Sequence, residues 1–152
     1  MNSIIQVNIG FGELLFGTTI MNVVALIGEP TKKIAINDDP SFDTTLLEYP
    51  NYQFNLFFEV INAPLLTSID IYNDEATLWG QKVFELSYTQ IIELFKANEF
   101  TEYEEEAHTW GEKRLSFDAA NIDLYFEQEV LTSVSISKHI DYDTQDFMFS
   151  PN

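Results

Sequence analysis

The hexapeptide LTSIDI at residues 66–71 returns as LTSVSI at residues 131–136, and a chain that writes one segment twice is restricted in what it can fold into. The preceding segments repeat too. FNLFFE at 54–59 matches IDLYFE at 122–127 in residue type at every position, and LLEY at 46–49 faces RLSF at 114–117. Each set follows a helical stretch: 18–27, stopped by Gly28-Glu29-Pro30, and 88–97, stopped by Asn98. Gly and Asn most readily take the left-handed conformation that closes a helix, so both stops are expected there. The reading is two copies of a helix-plus-strands unit, at about 10–72 and 79–137, with residues 138–152 as a C-terminal tail and the whole chain, 1–152, as a single domain.

Periodicity fills in the unit. In the first helix Ile20, Met21, Val23, Val24 and Ile27 recur at three and four, with Thr18 or Thr19 as N-cap. Ser87 and Gln90 form a capping box for the second, where Ile91, Leu94 and Phe95 make the apolar stripe. Period-two runs follow each helix, at 33–36, 44–49, 52–60 and 66–72, then 101–109, 113–117, 122–128 and 132–137. Their connections are short and rich in Asn, Asp, Pro and Gly, as antiparallel hairpins require. An α+β fold is expected, its helices packed on one face of an antiparallel sheet.

Alternation assigns the faces. Tyr52, Phe54, Leu56, Phe58 and Val60 point to the helices with Ile122, Leu124 and Phe126; Gln53, Asn55, Phe57 and Glu59 point away with Asp123, Tyr125 and Glu127. Glu48, Ser68, Asp70 and Tyr72 join that outer face from the first copy, and Arg114, Ser116, Ser133 and Ser135 from the second. Aromatics among polar residues on an uncovered sheet face mark a protein-binding surface. The stretch EFTEYEEEAHTW at 99–110 adds a second candidate, in which Phe100, Tyr103 and Trp110 supply apolar anchors and Glu104, Glu105 and Glu106 a charged strip. The expected partner-binding residues are therefore Phe57, Tyr125, Glu59, Glu127, Asp70, Tyr72, Asp123, Tyr103, Glu104, Glu105, Glu106 and Trp110.

Charge narrows the partner. The 25 acidic and 7 basic side chains leave −18, spread over both copies. Nucleic acid and anionic membrane both need a basic footprint and are not expected partners. A basic protein is, because an acidic surface speeds its encounter. No cysteine is present to build a disulfide or a thiolate site, no signal-peptide pattern opens the sequence, and no apolar run is long enough to span a bilayer, so a cytoplasmic location is expected. No catalytic motif emerges. His108 and His139 lie in non-equivalent places outside any HExxH pattern, and GFGELLFG has the wrong spacing for a nucleotide loop. Asp141, Asp143 and Asp146 lack the Gly and closing Glu of an EF-hand loop. Neither enzyme activity, cofactor nor metal is expected, and Phe147, Met148 and Phe149 are expected to dock on the body or on a partner.

The stretch FGTTIMNVVALIGEP at 16–30, followed by several strands and then by the whole pattern again, resembles the tandem-repeat fold of the beta-lactamase-inhibitor proteins. The single repeat is in turn similar to small outer-membrane assembly lipoproteins. The residues that carry the resemblance are Gly17-Thr18 before the helix, Val24-Ala25-Leu26-Ile27 along it and Gly28-Glu29-Pro30 after it. It implies a rigid two-repeat sheet that grips another protein. Small, acidic, cysteine-free proteins of this kind also resemble bacterial toxin immunity proteins, which implies neutralisation of a basic toxin, such as a nuclease, by occlusion of its active site. The alternative expectation is a structural or assembly domain that forms a homodimer or scaffold through its sheet face.

Overall fold

A computed structural model describes residues 1–39, 42–60 and 63–138, with side chains at 37–39, 42 and 60 excepted, and the backbone of 140–141 and 146–147. The main layer is an eight-stranded sheet. It is built from β4 (Lys32–Asp39), β5 (Phe42–Tyr49), β6 (Phe54–Val60) and β7 (Pro64–Ile71), then β10 (Glu104–Ala107), β11 (Glu112–Phe117), β12 (Ile122–Glu127) and β13 (Val130–Ser137). The order is β10-β11-β12-β13-β7-β6-β5-β4, with every neighbouring pair antiparallel. Two four-stranded meanders thus meet where β13 pairs with β7.

The junction is centred on one pair. Ser135 faces Asp70, flanked by Ile136 opposite Ile69 and Val134 opposite Ile71. Both hairpins beside the junction break register at one residue: β6–β7 shifts between Phe57 and Phe58, and β12–β13 between Tyr125 and Phe126. The extra residue is Thr67 in one and Thr132 in the other. Their hydroxyls donate to the carbonyls of Phe57 at 3.5 Å and Tyr125 at 3.0 Å, so each bulge is pinned by the same local bond.

Helices α1 (Ile20–Ile27) and α2 (Tyr88–Ala97) cover one face of this sheet. Thr19 caps α1 by accepting from the Asn22 amide, and Ser87 with Gln90 completes the capping box of α2. Gly28 closes α1 with φ of 90°. At the end of α2 the expectation fails: Asn98 stays at φ −106°, and the positive φ falls on Glu99 at 72°. The Asn98 side-chain amide donates instead to the Leu94 carbonyl, satisfying an orphan acceptor of the last turn without the left-handed conformation.

The helices do not cover the sheet alone. A second, five-stranded sheet has the order β3-β2-β1-β8-β9. It comprises β1 (Ile4–Gln6), β2 (Gly10–Phe11), β3 (Leu14–Leu15), β8 (Thr77–Leu78) and β9 (Gln81–Lys82). Its β8–β9 turn places Trp79 and Gly80 at φ 50° and 79°, the two positive angles of a type I′ hairpin. Ile5, Phe11, Leu14 and Leu78 from this layer join Val23, Ile91 and Phe95 from the helices. Together they meet Leu47, Phe54, Leu56, Phe58, Leu115, Phe117, Leu124 and Phe126 of the main sheet in one buried core. The α2 stripe packs more deeply than that of α1: Phe95 stacks on Phe117 at 3.8 Å, whereas in α1 only Val23 is buried and Met21 is 80% exposed. Tyr52, expected in a strand, sits in the turn before β6, with its ring stacked on Phe54 at 5.5 Å. The period-two run expected at 101–109 shortens to Glu104–Ala107. The side chains of His139, Asp141, Asp143, Asp146, Phe147, Met148 and Phe149 lie outside the described residues.

Candidate functional site: the outer face of the main sheet

With one face buried under helices and the small sheet, alternate residues of the eight strands point the other way. Cross-strand register joins them into rows. The central row runs Glu104, Ser116, Asp123, Ser135, Asp70, Asn55, Glu48, Lys32 and crosses all eight strands without an apolar side chain. Asp70 lies at its middle. Burial, more than any neighbour, raises the pKa of its carboxyl above the ordinary value; Asp123 adds to the rise and a hydrogen bond with Ser135 offsets part of it. Holding this carboxylate ionised at neutral pH costs the fold stability, which is a feature of binding and catalytic sites.

The sign of that cost is testable. Because the folded carboxyl keeps its proton to a higher pH than the unfolded one, stability falls as pH rises from about 3.8 through the folded pKa, then stays level. Asp70→Asn removes the charge while keeping an acceptor for Ser135. Urea unfolding at neutral pH should find the variant more stable than the native protein, with the gap closing as the medium is acidified. A variant less stable at neutral pH would mean that the carboxylate is there for the fold.

Rows on either side of the centre differ. Towards one side Ser68, Phe57, Leu46 and Ile34 lie in register across β7, β6, β5 and β4. Towards the other lie Ser133, Tyr125, Arg114 and Glu106, with the Arg114 guanidinium 2.9 Å from the Glu106 carboxylate. Phe57 and Tyr125 thus stand half-buried on the same face, one in an apolar row and one beside an ion pair. Tyr72, 37% exposed, follows β7 on the Tyr125 side, its amide bonded to the Gln53 carbonyl. Glu59 and Glu127 complete the outer face near the far ends of β6 and β12.

The acidic strip does not stay together. Register puts Glu104 and Glu106 with Ser116 and Arg114 on the outer face, but Glu105 beside Leu115 on the helix side. There Lys113 holds it, with Nζ 3.7 Å from Glu105, 3.2 Å from Glu129 and 4.7 Å above the Tyr88 ring. Tyr103 leans its ring on Phe117, 5.5 Å away, and so belongs to the helix side as well. Trp110 is at the β10–β11 turn, 65% exposed, stacked on His108 and bonded through its indole N–H to Glu112. Phe57, Tyr125, Glu59, Glu127, Asp70, Tyr72, Asp123, Glu104 and Glu106 therefore share one surface, and Glu105, Tyr103 and Trp110 lie off it. Leu46 and Ile34, absent from the sequence-based set, belong to it. Among the described residues no group of three or more His, Cys, Asp or Glu is placed to hold a metal ion, and no helix is long and apolar enough to cross a membrane.

The sequence matches no protein-family model and no curated protein. Among solved structures it is similar to a DUF4309 family protein (YjgB) from Bacillus subtilis subsp. subtilis str. 168. That likeness has 16% identity and a TM-score of 0.47, over 84% of this chain and 83% of that one.

Proposed function

We propose that this chain is a non-enzymatic binding module that grips a basic protein through the outer face of its main sheet. Its most concrete form is a cytoplasmic immunity protein that covers the active site of a basic toxin. The observation that carries the reading is the unbroken polar row centred on Asp70, with half-buried aromatics on both sides. Carboxylates at its centre select basic side chains, and Phe57 and Tyr125 offer the area that anchors them. Dimerisation through the same face has less support, since stacking two such rows would set carboxylates of one copy against those of the other.

The two-repeat reading belongs to this proposal. It is supported by matched bulges at Thr67 and Thr132, by matched registers on both sides of them, and by the antiparallel junction in which Asp70 and Ser135 sit as mutual counterparts. On that reading Phe57 corresponds to Tyr125 and Ile69 to Val134, so a partner meets two variants of one surface side by side. The resemblance to tandem-repeat inhibitors implies the same mode of grip.

Co-expression with each basic protein domain that neighbouring genes encode tests the proposal, and a toxic one among them is the expected partner. Growth should be restored, the two proteins should co-purify, and association should slow as salt rises to 0.15 M, where charges are screened beyond about 8 Å. Asp70→Lys should abolish rescue while remaining folded. A rescue indifferent to both salt and Asp70→Lys would refute the acidic face as the binding surface.

A further inference from the structure

One edge strand of the main sheet opens with two cations, and the other edge strand is acidic. At one end β4 presents Lys32 and Lys33, the only cations within residues 1–75, in an exposed run from Thr31 to Ala35. Neither lysine is in an ion pair among the described residues. At the other end β10 presents Glu104, Glu105 and Glu106, all exposed, of which Glu105 also meets Lys113 and Glu106 meets Arg114 within the chain. An edge strand has a row of unpaired backbone donors and acceptors, and charges along it oppose pairing with a like-charged strand. Asp38 and Asp39 make β4 neutral as a whole, but its Lys32-Lys33 end and β10 have opposite sign, so those two segments attract each other.

We propose that a second copy of this chain docks by edge pairing, its β10 against β4, in a head-to-tail contact that continues the sheet. Direction agrees: eight strands alternate across the sheet, so β4 and β10 run oppositely and a second copy adds antiparallel with its outer face on the same side. Face parity agrees as well. With Lys32 opposite Glu106 of the second copy, Lys33 falls opposite Glu105 of the second copy, giving one charge pair on each face. Opposed β10 strands would instead place carboxylate against carboxylate. Long-range repulsion between acidic copies is screened beyond about 8 Å at 0.15 M salt, leaving contact pairs to decide. A head-to-tail contact does not use up its own surfaces, so assembly proceeds beyond the dimer.

Light scattering over a wide dilution series at that salt tests this on the intact chain. The mass should climb with concentration from 17.5 kDa past twice that value without a plateau. Lys33 is exposed, so Lys33→Glu should leave the melting temperature unchanged while weakening association about tenfold or more, as juxtaposed like charges do. Mixing Lys33→Glu with Glu105→Lys should restore assembly. A monomer at every concentration, a plateau at the dimer, or association indifferent to Lys33→Glu would each overturn the proposal.

Discussion

Phe95→Ala should cost about 3–5 kcal/mol of stability, the largest single loss expected in this protein. The ring is fully buried, stacked on Phe117 at 3.8 Å and met edge-on by Trp79 at 5.0 Å. It is where α2, the small sheet's β8–β9 turn and the main sheet meet. Truncation opens a cavity that none of the three can close without shifting, because each is tied by its own backbone hydrogen bonds. Against a total of roughly 5–15 kcal/mol for a domain, such a loss removes a large share of the folded state's margin. Denaturant midpoints measure it directly. A cost below about 1 kcal/mol, well under the range for buried aromatics, would show that the helix layer is not packed here as described.

The second large effect concerns binding. Phe57→Ala and Tyr125→Ala should each weaken the complex with the proposed basic partner by roughly 2 kcal/mol or more, because interface energy concentrates in desolvated aromatic anchors. Most of the change should appear as faster dissociation. Both side chains are half-buried on the outer face, so stability should fall far less than for Phe95→Ala. Tyr125 also tests electrostatics: burial, then Asp123, raises the pKa of its hydroxyl, while Arg114 acts in the opposite sense. Tyr125→Phe should therefore retain most of the affinity if the ring is the anchor.

Alternation and capping were readable from the sequence because both are local. Phe54, Leu56 and Phe58 are buried and Asn55, Phe57 and Glu59 are not, as period two requires, and Ser87 with Gln90 forms its capping box. The strands of two or three residues at Ile4–Gln6, Gly10–Phe11, Leu14–Leu15, Thr77–Leu78 and Gln81–Lys82 were not readable, since so short a segment has no period to detect. Charge alone groups Glu105 with Glu104 and Glu106, although one strand must send it to the opposite face. The same parity, counted back from Glu48, would have placed Leu46 outward. Ile34 needed more: its position in the Phe57 row depends on the β4–β5 register, which only the folded sheet supplies. Met21 shows the opposite error, an apolar residue at helical spacing that stays exposed because α1 buries only Val23.

The chain has no cysteine, so a single introduced thiol reports one position without background. Ser133→Cys places it on the outer face opposite Tyr125, and Met21→Cys on the exposed side of α1. Thiol labelling with and without the proposed basic partner tests the proposed binding face most directly. Binding through the outer face predicts that the partner shields the thiol of the Ser133→Cys variant and leaves that of Met21→Cys as reactive as before. Protection of the Met21→Cys thiol with the Ser133→Cys thiol still open would contradict it and place the partner on the helix side.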